Sequence, residues 1–291
     1  MEIKPSMQRS ADLSHGRIEW LEADSTRNNS FPPIVFLHGI GSCADSWRDL
    51  MPGLSDGRRV LAWDAPGYGG SAPLRIAQPL AADYAATAAE WLDAAKVVHP
   101  VLVGHSLGAL IAAAIAARHS SPASGALGLV LVSPAQGYGT ADPSVRLGKF
   151  ENRLQALRSL GAVQLSIERA VNLCSPGASV AAVSRVQDIM SRITEPGYAQ
   201  AAWMLSNDMI SQYLDDVSIP TAVMCGALDA VVTPASAKEL AEKYHAPFSL
   251  LNDVGHASYI EDRNGFENAL NRMINFVTSD RSSRDKTELC T

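Results

Sequence analysis

A serine flanked by glycines stands where an apolar stretch of the chain meets an alanine-rich one. Residues 101–110 read VLVGHSLGAL, which places Ser106 in a G-x-S-x-G pattern between a buried strand and a helix. A serine on so tight a turn needs small neighbours, here Gly104 and Gly108, and the turn pushes its hydroxyl into the open. We therefore interpret Ser106 as a nucleophile.

Further groups are needed to make that hydroxyl reactive. His256, on a Gly-His turn after the last predicted strand, is the candidate base. Asp229 follows the predicted strand 221–225 and is expected to accept a hydrogen bond from Nδ1 of His256, which fixes the tautomer. The backbone N–H groups of Ile40 and Leu107 are expected to form an oxyanion hole, because one follows a buried strand and the other follows the nucleophile.

The other titratable residues near these patterns are interpreted as structural. His38 belongs to the expected oxyanion loop, and His105 precedes the nucleophile. Asp64 ends a predicted strand, and we expect its carboxylate to bind the backbone of the turn at 66–67.

Short apolar runs alternate with helical segments along most of the chain. The predicted strands are 16–23, 34–37, 60–63, 101–105, 129–132, 221–224 and 248–251. This alternation indicates the α/β class, with a mostly parallel sheet covered on both faces. The first of these strands alternates apolar and polar residues, which predicts an edge strand.

One region interrupts this rhythm. Residues 136–216 contain no comparable apolar strand, and helices are predicted at 145–160, 179–193 and 198–214. We interpret 136–216 as an inserted helical cap, and 1–135 with 217–291 as the core. Insertions after the carboxyl ends of parallel strands lie where such sheets bind ligands, so this cap is expected to roof the site.

The cap offers candidates for substrate binding. Arg146, Lys149, Arg153 and Arg158 share one predicted helix. A solvated helix face explains such a cluster, but Arg146 or Arg153 pointing inward would clamp a substrate carboxylate, which a guanidinium binds bidentately. Trp203 is expected either to pack the cap against the core or to line an apolar pocket.

Composition excludes several classes of protein. The chain has 47% apolar and 19% charged residues and a net charge of −6 without a basic stripe, so we expect a small-molecule substrate and neither nucleic acid nor a membrane as partner. The four cysteines form no C-x-x-C pair and are expected to be reduced thiols. No H-E-x-x-H pattern is present, so we expect no metal site and no cofactor. The polar start of the chain favours a cytoplasmic location. The sequence contains no pattern that indicates an oligomeric state.

These motifs resemble a known family. His38-Gly39-Ile40-Gly41, the segment DAPGYGGS at 64–71, the serine turn, the segment GALD at 226–229 and Gly255-His256 stand in the order found in the α/β-hydrolase superfamily. Within it the chain is similar to the cap-bearing esterases, lactonases, perhydrolases and ring-cleavage-product hydrolases. The ring-cleavage hydrolases usually carry Gly-Pro-Gly in the oxyanion loop and Asn and Met around the serine, whereas this chain has GSC at 41–43, His105 and Leu107.

The expected function is therefore serine hydrolysis of a small ester, lactone or thioester through an acyl-enzyme. The alternatives are a carbon–carbon bond hydrolase of vinylogous diketo acids from aromatic catabolism, and a ligand-binding receptor of the same fold with little turnover. Dehalogenase and epoxide hydrolase chemistry is excluded, because it needs a carboxylate where this chain has Ser106.

Overall fold

The central feature of the molecule is one sheet of eight strands. The computed structural model describes residues 6–25, 29–118 and 125–279. The strands are β1 Met7–Leu13, β2 Gly16–Ala23, β3 Ile34–Leu37, β4 Val60–Trp63, β5 Val101–His105, β6 Gly128–Val132, β7 Thr221–Gly226 and β8 Phe248–Leu251. Their order across the sheet is β1-β2-β4-β3-β5-β6-β7-β8. The pairs β1–β2 and β2–β4 are antiparallel and the other pairs are parallel, which confirms the predicted mostly parallel sheet.

The prediction that Gly16–Ala23 is an edge strand is wrong. It lies between β4 and β1, and β1 occupies the edge. Five of the seven residues of β1 are exposed, so this strand buries little apolar surface. It therefore lacks the alternating apolar pattern by which a half-buried strand is found in a sequence.

Helices cover both faces of this sheet. The elements are a 3₁₀ helix at Ala44–Trp47, α1 Met51–Leu54, α2 Ala81–Ala94, α3 Leu107–Ala117, α4 Pro143–Leu173, α5 Val180–Met190, α6 Glu195–Asn207, α7 Ser211–Leu214, α8 Pro234–Lys243, α9 Ser258–Glu261 and α10 Arg263–Thr278. In β3, Val35 and Leu37 pack into the core cluster shared with α2 and α3, whereas Ile34 and Phe36 pack into the cluster shared with α10. Burial on both faces explains the continuous apolar runs. No helix among the described residues has both the length and the apolar character needed to cross a membrane.

The region predicted as a cap holds α4 to α7, between β6 and β7. Helix α4 is interrupted at Gly161, whose φ of 72° and ψ of 164° are not helical. This break separates a first segment, 143–160, from a second, 162–173, that was not predicted. The predicted helix 198–214 is two helices, α6 and α7.

Ion pairs attach α5 to the loop after β3. Asp45 of the 3₁₀ helix pairs with Nη1 of Arg185 and Nη1 of Arg192, each at 3.0 Å. Burial acts to raise the pKa of Asp45, but hydrogen bonds from Arg48, Arg185 and Arg192 lower it to about 2. The carboxylate is therefore ionised at neutral pH, which holds this cap helix beside the loop.

The turn between β5 and α3 depends on two close backbone contacts. A methyl group at Gly108 would overlap the carbonyl oxygen of Leu37, and one at Gly104 would overlap the carbonyl oxygen of Gly108. Neither obstacle is a flexible side chain that can move aside. Glycine at both positions is therefore what allows α3 to start so close to the sheet.

We expect Gly108→Ala to lower the free energy of unfolding by at least about 2 kcal/mol, because overpacking here displaces backbone. Gly148→Ala is the matched control, since a methyl group there meets nothing within 4 Å in helix α4. That control is expected to be neutral or to gain up to about 1 kcal/mol in helix propensity. Urea unfolding of the two variants checks this, and equal stabilities would contradict it.

Candidate active site

Ser106 occupies a strained position between β5 and α3. Its backbone has a φ of 52° and a ψ of −118°, a combination that residues other than glycine rarely adopt. The neighbouring backbone holds it there: its N–H donates to the carbonyl of Val132 at 2.9 Å, and its carbonyl accepts from Ala109 at 3.0 Å and Ala135 at 3.2 Å. The residue lines a cavity, so the turn presents its side chain to a ligand.

His256 and Asp229 form a buried hydrogen-bonded pair. Nδ1 of His256 lies 2.8 Å from Oδ2 of Asp229, and the two residues are 4% and 3% exposed. Oδ1 of Asp229 accepts the backbone N–H groups of Val231 and Val232 at 2.8 and 2.9 Å. Burial acts to raise the pKa of Asp229, but the hydrogen bond and charge interaction with His256 and the N–H of Val232 bring the pKa below its ordinary value. The carboxylate is thus ionised and orients the imidazole through Nδ1.

The structure brings the three predicted catalytic side chains to one place. Ser106 and His256 line the same cavity, and Asp229 binds the imidazole from behind. The three residues come from the carboxyl ends of β5 and β7 and from the loop after β8. These strands end at the same side of the sheet, which is where parallel sheets place their sites.

His105 supports His256 from the neighbouring position. Its Nε2–H donates to the backbone carbonyl of His256 at 2.9 Å, and the two rings lie 4.6 Å apart between centroids. Burial, aided by the electrostatic effect of the neighbouring His256, lowers the pKa of His105 to about 3. His105 therefore stays neutral at physiological pH, in keeping with its interpretation as a structural residue.

The loop after β3 lies against Ser106. A Cβ atom at Gly39 would lie 2.9 Å from Cβ of Ser106, and Ile40 lines the cavity. Leu107 is the first residue of α3, and its side chain is buried in the core. The N–H groups of Ile40 and Leu107 remain the predicted oxyanion donors, because both flank Ser106.

A neutral histidine holds that loop in place. Nδ1 of His38 donates to the carbonyl of Gly39 at 2.9 Å, and its Nε2 accepts the N–H of Ala65 at 3.0 Å. An imidazolium has no acceptor nitrogen, so this arrangement requires the neutral ring. Burial lowers the pKa of His38 to about 4, against the opposing effect of the Gly39 hydrogen bond.

Asp64 acts elsewhere than predicted. Its Oδ1 accepts the backbone N–H of Ala44 at 2.8 Å, so it braces the 3₁₀ helix rather than the turn at 66–67. Burial raises the pKa of this carboxyl to about 6, against the opposing effect of that hydrogen bond. It lies outside the lining of the cavity that contains Ser106.

The cavity above Ser106 has a volume of about 370 Å³ and lies between the sheet and the cap. That volume accommodates a small organic molecule. Its walls combine the loop after β3, residues 134–138 after β6, and side chains of α4, α5 and α6. Of the predicted cap residues, Arg153 lines the cavity.

Arg146 and Trp203 do not line it, which corrects their prediction as substrate-binding residues. Nη1 of Arg146 donates to Oδ1 of Asn207 at 3.4 Å, and the ring of Trp203 packs edge-on against Phe150 at 5.3 Å between centroids. Both residues contact other cap side chains instead. Sequence analysis missed Arg169, which does line the cavity and lies in the second segment of α4.

The described cysteines are unsuited to nucleophilic chemistry. Cys43, Cys174 and Cys225 are free thiols, and burial raises the pKa of each to about 12. Such thiols stay protonated at neutral pH. Cys290, also predicted to be reduced, lies outside the described residues.

Comparison with known proteins identifies the family of the chain. A family model described as alpha/beta hydrolase fold matches residues 32–263. The chain is 30% identical over 244 residues to a pimeloyl-[acyl-carrier protein] methyl ester esterase of Vibrio atlanticus, which covers 81% of this chain and 91% of that one. It is 27% identical over 250 residues to the dihydrolipoyllysine-residue acetyltransferase component of the acetoin cleaving system of Cupriavidus necator, covering 83% of this chain but 63% of that longer one. Among solved structures, an enol-lactonase from Burkholderia xenovorans superposes with a TM-score of 0.78 at 22% identity, covering 92% of this chain and 100% of that one.

We expect His38→Gln to flatten the pH dependence of stability. Glutamine retains an acceptor for the N–H of Ala65 but binds no proton. Because the folded pKa lies below the ordinary value of 6.5, the unfolded chain takes up a proton first as the pH falls. Stability due to the neutral ring is present above about pH 6.5 and is lost towards pH 4, a loss of about 3 kcal/mol that the variant does not share.

Urea unfolding from about pH 8 to about pH 4.5 measures this effect. The difference in the free energy of unfolding between the wild type and His38→Gln near pH 8 gives the packing cost of the substitution alone. Parallel curves for the two proteins over the acidic range would show that His38 is not the group that titrates.

Proposed function

The chain belongs to the α/β-hydrolase fold family, and on that premise we propose that it is a serine hydrolase that cleaves a small ester, lactone or thioester through an acyl-enzyme. One observation carries the proposal. His256 is held by an ionised, buried carboxylate at 2.8 Å and lines the cavity into which the strained turn presents Ser106. This is the arrangement of nucleophile, base and orienting acid that acyl transfer needs.

In the proposed mechanism, Oγ of Ser106 attacks the substrate carbonyl while Nε2 of His256 accepts its proton. Asp229 stabilises the imidazolium that forms and keeps Nδ1 as the donor. The N–H groups of Ile40 and Leu107 stabilise the tetrahedral oxyanion. The imidazolium then protonates the leaving oxygen or sulfur, and a water molecule activated by the same imidazole hydrolyses the acyl-enzyme.

The relatives support this class of reaction. The Vibrio protein is named a methyl ester esterase and the Burkholderia structure an enol-lactonase, and both names denote hydrolysis of a carboxylic ester bond. These substrates are properties of those proteins. For this chain they support an oxygen ester as the first substrate to try.

A carbon–carbon bond hydrolase of vinylogous diketo acids is the second candidate. The observation that favours it is the guanidinium of Arg153 in the cavity, which suits an acidic substrate. Mixing the protein with a coloured dienol of this class distinguishes the two candidate functions. Loss of the colour, together with no hydrolysis of p-nitrophenyl esters, would favour carbon–carbon cleavage.

We expect Ser106→Ala to abolish turnover of p-nitrophenyl butyrate and labelling by a fluorophosphonate, while the melting temperature changes little. The reason is that the hydroxyl is the attacking group but contributes little packing. Ser236→Ala removes another hydroxyl of the same cavity and is the matched control. Residual activity above about 1% of the wild type in Ser106→Ala would contradict the assignment, because losing an essential nucleophile costs far more. Failure of the wild-type protein to react with the probe would favour a ligand-binding receptor.

We expect Asp229→Asn to lower kcat by about 10⁴, because an amide facing Nδ1 favours the wrong tautomer of His256. Stopped assays with p-nitrophenyl butyrate measure the rate, and near-ultraviolet circular dichroism shows whether the fold is retained. A loss smaller than about tenfold in a folded variant would assign the orienting role to another group.

A further inference from the structure

The cavity above Ser106 differs in charge from the protein as a whole. The chain carries 30 acidic against 24 basic residues and a net charge of −6. Among the described residues, however, no aspartate or glutamate lines the cavity, whereas Arg153 and Arg169 do. Because like charges disfavour one another at short range, such a lining excludes cations and attracts anions.

The break in α4 brings these two arginines to one place. Arg153 lies in the segment before Gly161 and Arg169 in the segment after it. Both positive charges act on the hydroxyl of Tyr198, a third lining residue: burial raises the pKa of that tyrosine, and Arg169 and Arg153 oppose the rise. Both guanidinium groups thus belong to the wall of the cavity and act electrostatically on the same tyrosine.

Both arginines lack an acidic partner within the described part of the chain. The half-buried Arg153 donates from Nη1 to the backbone carbonyl of Lys149 at 3.0 Å, and its other N–H groups have no acceptor among the described residues. Arg169 is exposed and makes no ion pair with a described residue. Each guanidinium has five N–H donors in a fork that matches a carboxylate.

Other cap arginines show what a purely structural arginine does here. Arg158 pairs with Glu195 at 2.7 Å, and Arg185 pairs with Asp45 at 3.0 Å. Those charges are balanced by protein carboxylates. Arg153 and Arg169 differ from these two arginines because they line the cavity and have no carboxylate partner among the described residues, so an anion that enters the cavity can pair with them.

A third cation stands beside this pair. Nζ of Lys149 lies 4.7 Å from the centre of the Tyr138 ring, and the guanidinium of Arg153 lies 5.9 Å from the same ring. Tyr138 lines the cavity. Its ring thus positions two cations of α4 at the cavity wall.

Apolar side chains line much of the remaining wall, beside polar residues such as Ser42, Gln136 and Ser236. The apolar residues are Val186, Ile189, Met190, Leu205 and Val232. An occupant that contacts the arginines, these apolar side chains and Ser106 together has an anion, a short hydrocarbon spacer and an ester carbonyl.

We propose that Arg153 and Arg169 form a carboxylate-binding subsite, and that the preferred substrate is a small ester or lactone that also carries a free carboxylate. This inference rests on the proposed function for the identity of the reacting bond. The simplest molecule of this kind is a half-ester of a dicarboxylic acid. Binding its carboxylate in the cavity positions the ester carbonyl over Ser106 and rejects cationic esters.

Matched substrates test the preference. Mono-p-nitrophenyl glutarate and p-nitrophenyl pentanoate differ by a terminal carboxylate, and the butyrate esters of 4-hydroxybenzoate and 4-hydroxybenzamide place the same contrast on the leaving group. We expect kcat/KM to be at least about tenfold higher for the acid in one of these pairs, because each charge-assisted hydrogen bond adds about that much. Equal values in both pairs would overturn the proposal.

Substitution then identifies the residues. Arg153→Met and Arg169→Met keep the apolar stem, and each is expected to lower the ratio of acidic to neutral kcat/KM by about tenfold or more, mainly through KM. Arg158→Met is the matched control, since it removes one positive charge from the same helix outside the cavity. A ratio that falls equally in all three variants would indicate general charge rather than a subsite, and would contradict the proposal.

A binding measurement separates this inference from the proposed function. Titration of Ser106→Ala with monomethyl glutarate by calorimetry reports carboxylate binding without chemistry. Binding that weakens in Arg153→Met and Arg169→Met backgrounds would support the subsite even if no ester is turned over, in which case the proposed function fails alone. Turnover of neutral esters, with no binding of monomethyl glutarate and no arginine dependence, would overturn the subsite and leave the hydrolase assignment intact.

Discussion

The close approach of α3 to β3 is the constraint on which the site depends. The backbone at Gly108 contacts the carbonyl of Leu37 so closely that a side chain has no room, and this contact fixes where α3 begins. Ser106 is consequently held at a φ of 52°, a conformation that the hydrogen bond from its N–H to Val132 helps to maintain. Strain at this one residue is offset by the packing of a helix of which ten residues are buried. Ser106 is thus positioned by the core rather than by a flexible loop.

The three buried histidines around this turn differ in their hydrogen-bonding partners. His38 and His105 form hydrogen bonds with backbone groups, and burial lowers their pKa values to about 4 and about 3. Both rings therefore remain neutral. His256 differs because it meets the carboxylate of Asp229 at 2.8 Å. The same buried surroundings therefore hold two neutral histidines on backbone groups and a third on a carboxylate, which fixes the orientation of the His256 ring.

The cap supplies what the sheet lacks. The floor of the cavity holds Ser106 and His256, and in the proposed reaction the discrimination of one ester from another comes from side chains of the cap. Helix α5 is held to the loop after β3 through Asp45, and Arg153 and Arg169 of α4 line the cavity without a carboxylate partner among the described residues. The ion pairs therefore fix one part of the roof, while the two arginines in the cavity are the groups that we propose to bind a substrate carboxylate.

The amino-acid sequence by itself determined the parts of this protein that follow from local pattern. Continuous apolar runs predicted the buried strands. The glycines around Ser106, together with the order of Asp229 and His256 along the chain, predicted which side chains share the site. Both predictions were possible because these patterns depend on neighbouring residues and on chain order. Tertiary structure alone decided three matters. The strand Met7–Leu13 takes the sheet edge although it buries too little to show a pattern. Asp64 bonds Ala44 and not its own turn. Finally, Arg153 and Arg169 line the cavity, whereas Arg146 and Trp203 do not. The break at Gly161 and the packing of the cap set the direction in which each face of α4 points. The periodicity of the sequence carries no information about that rotation of the helix.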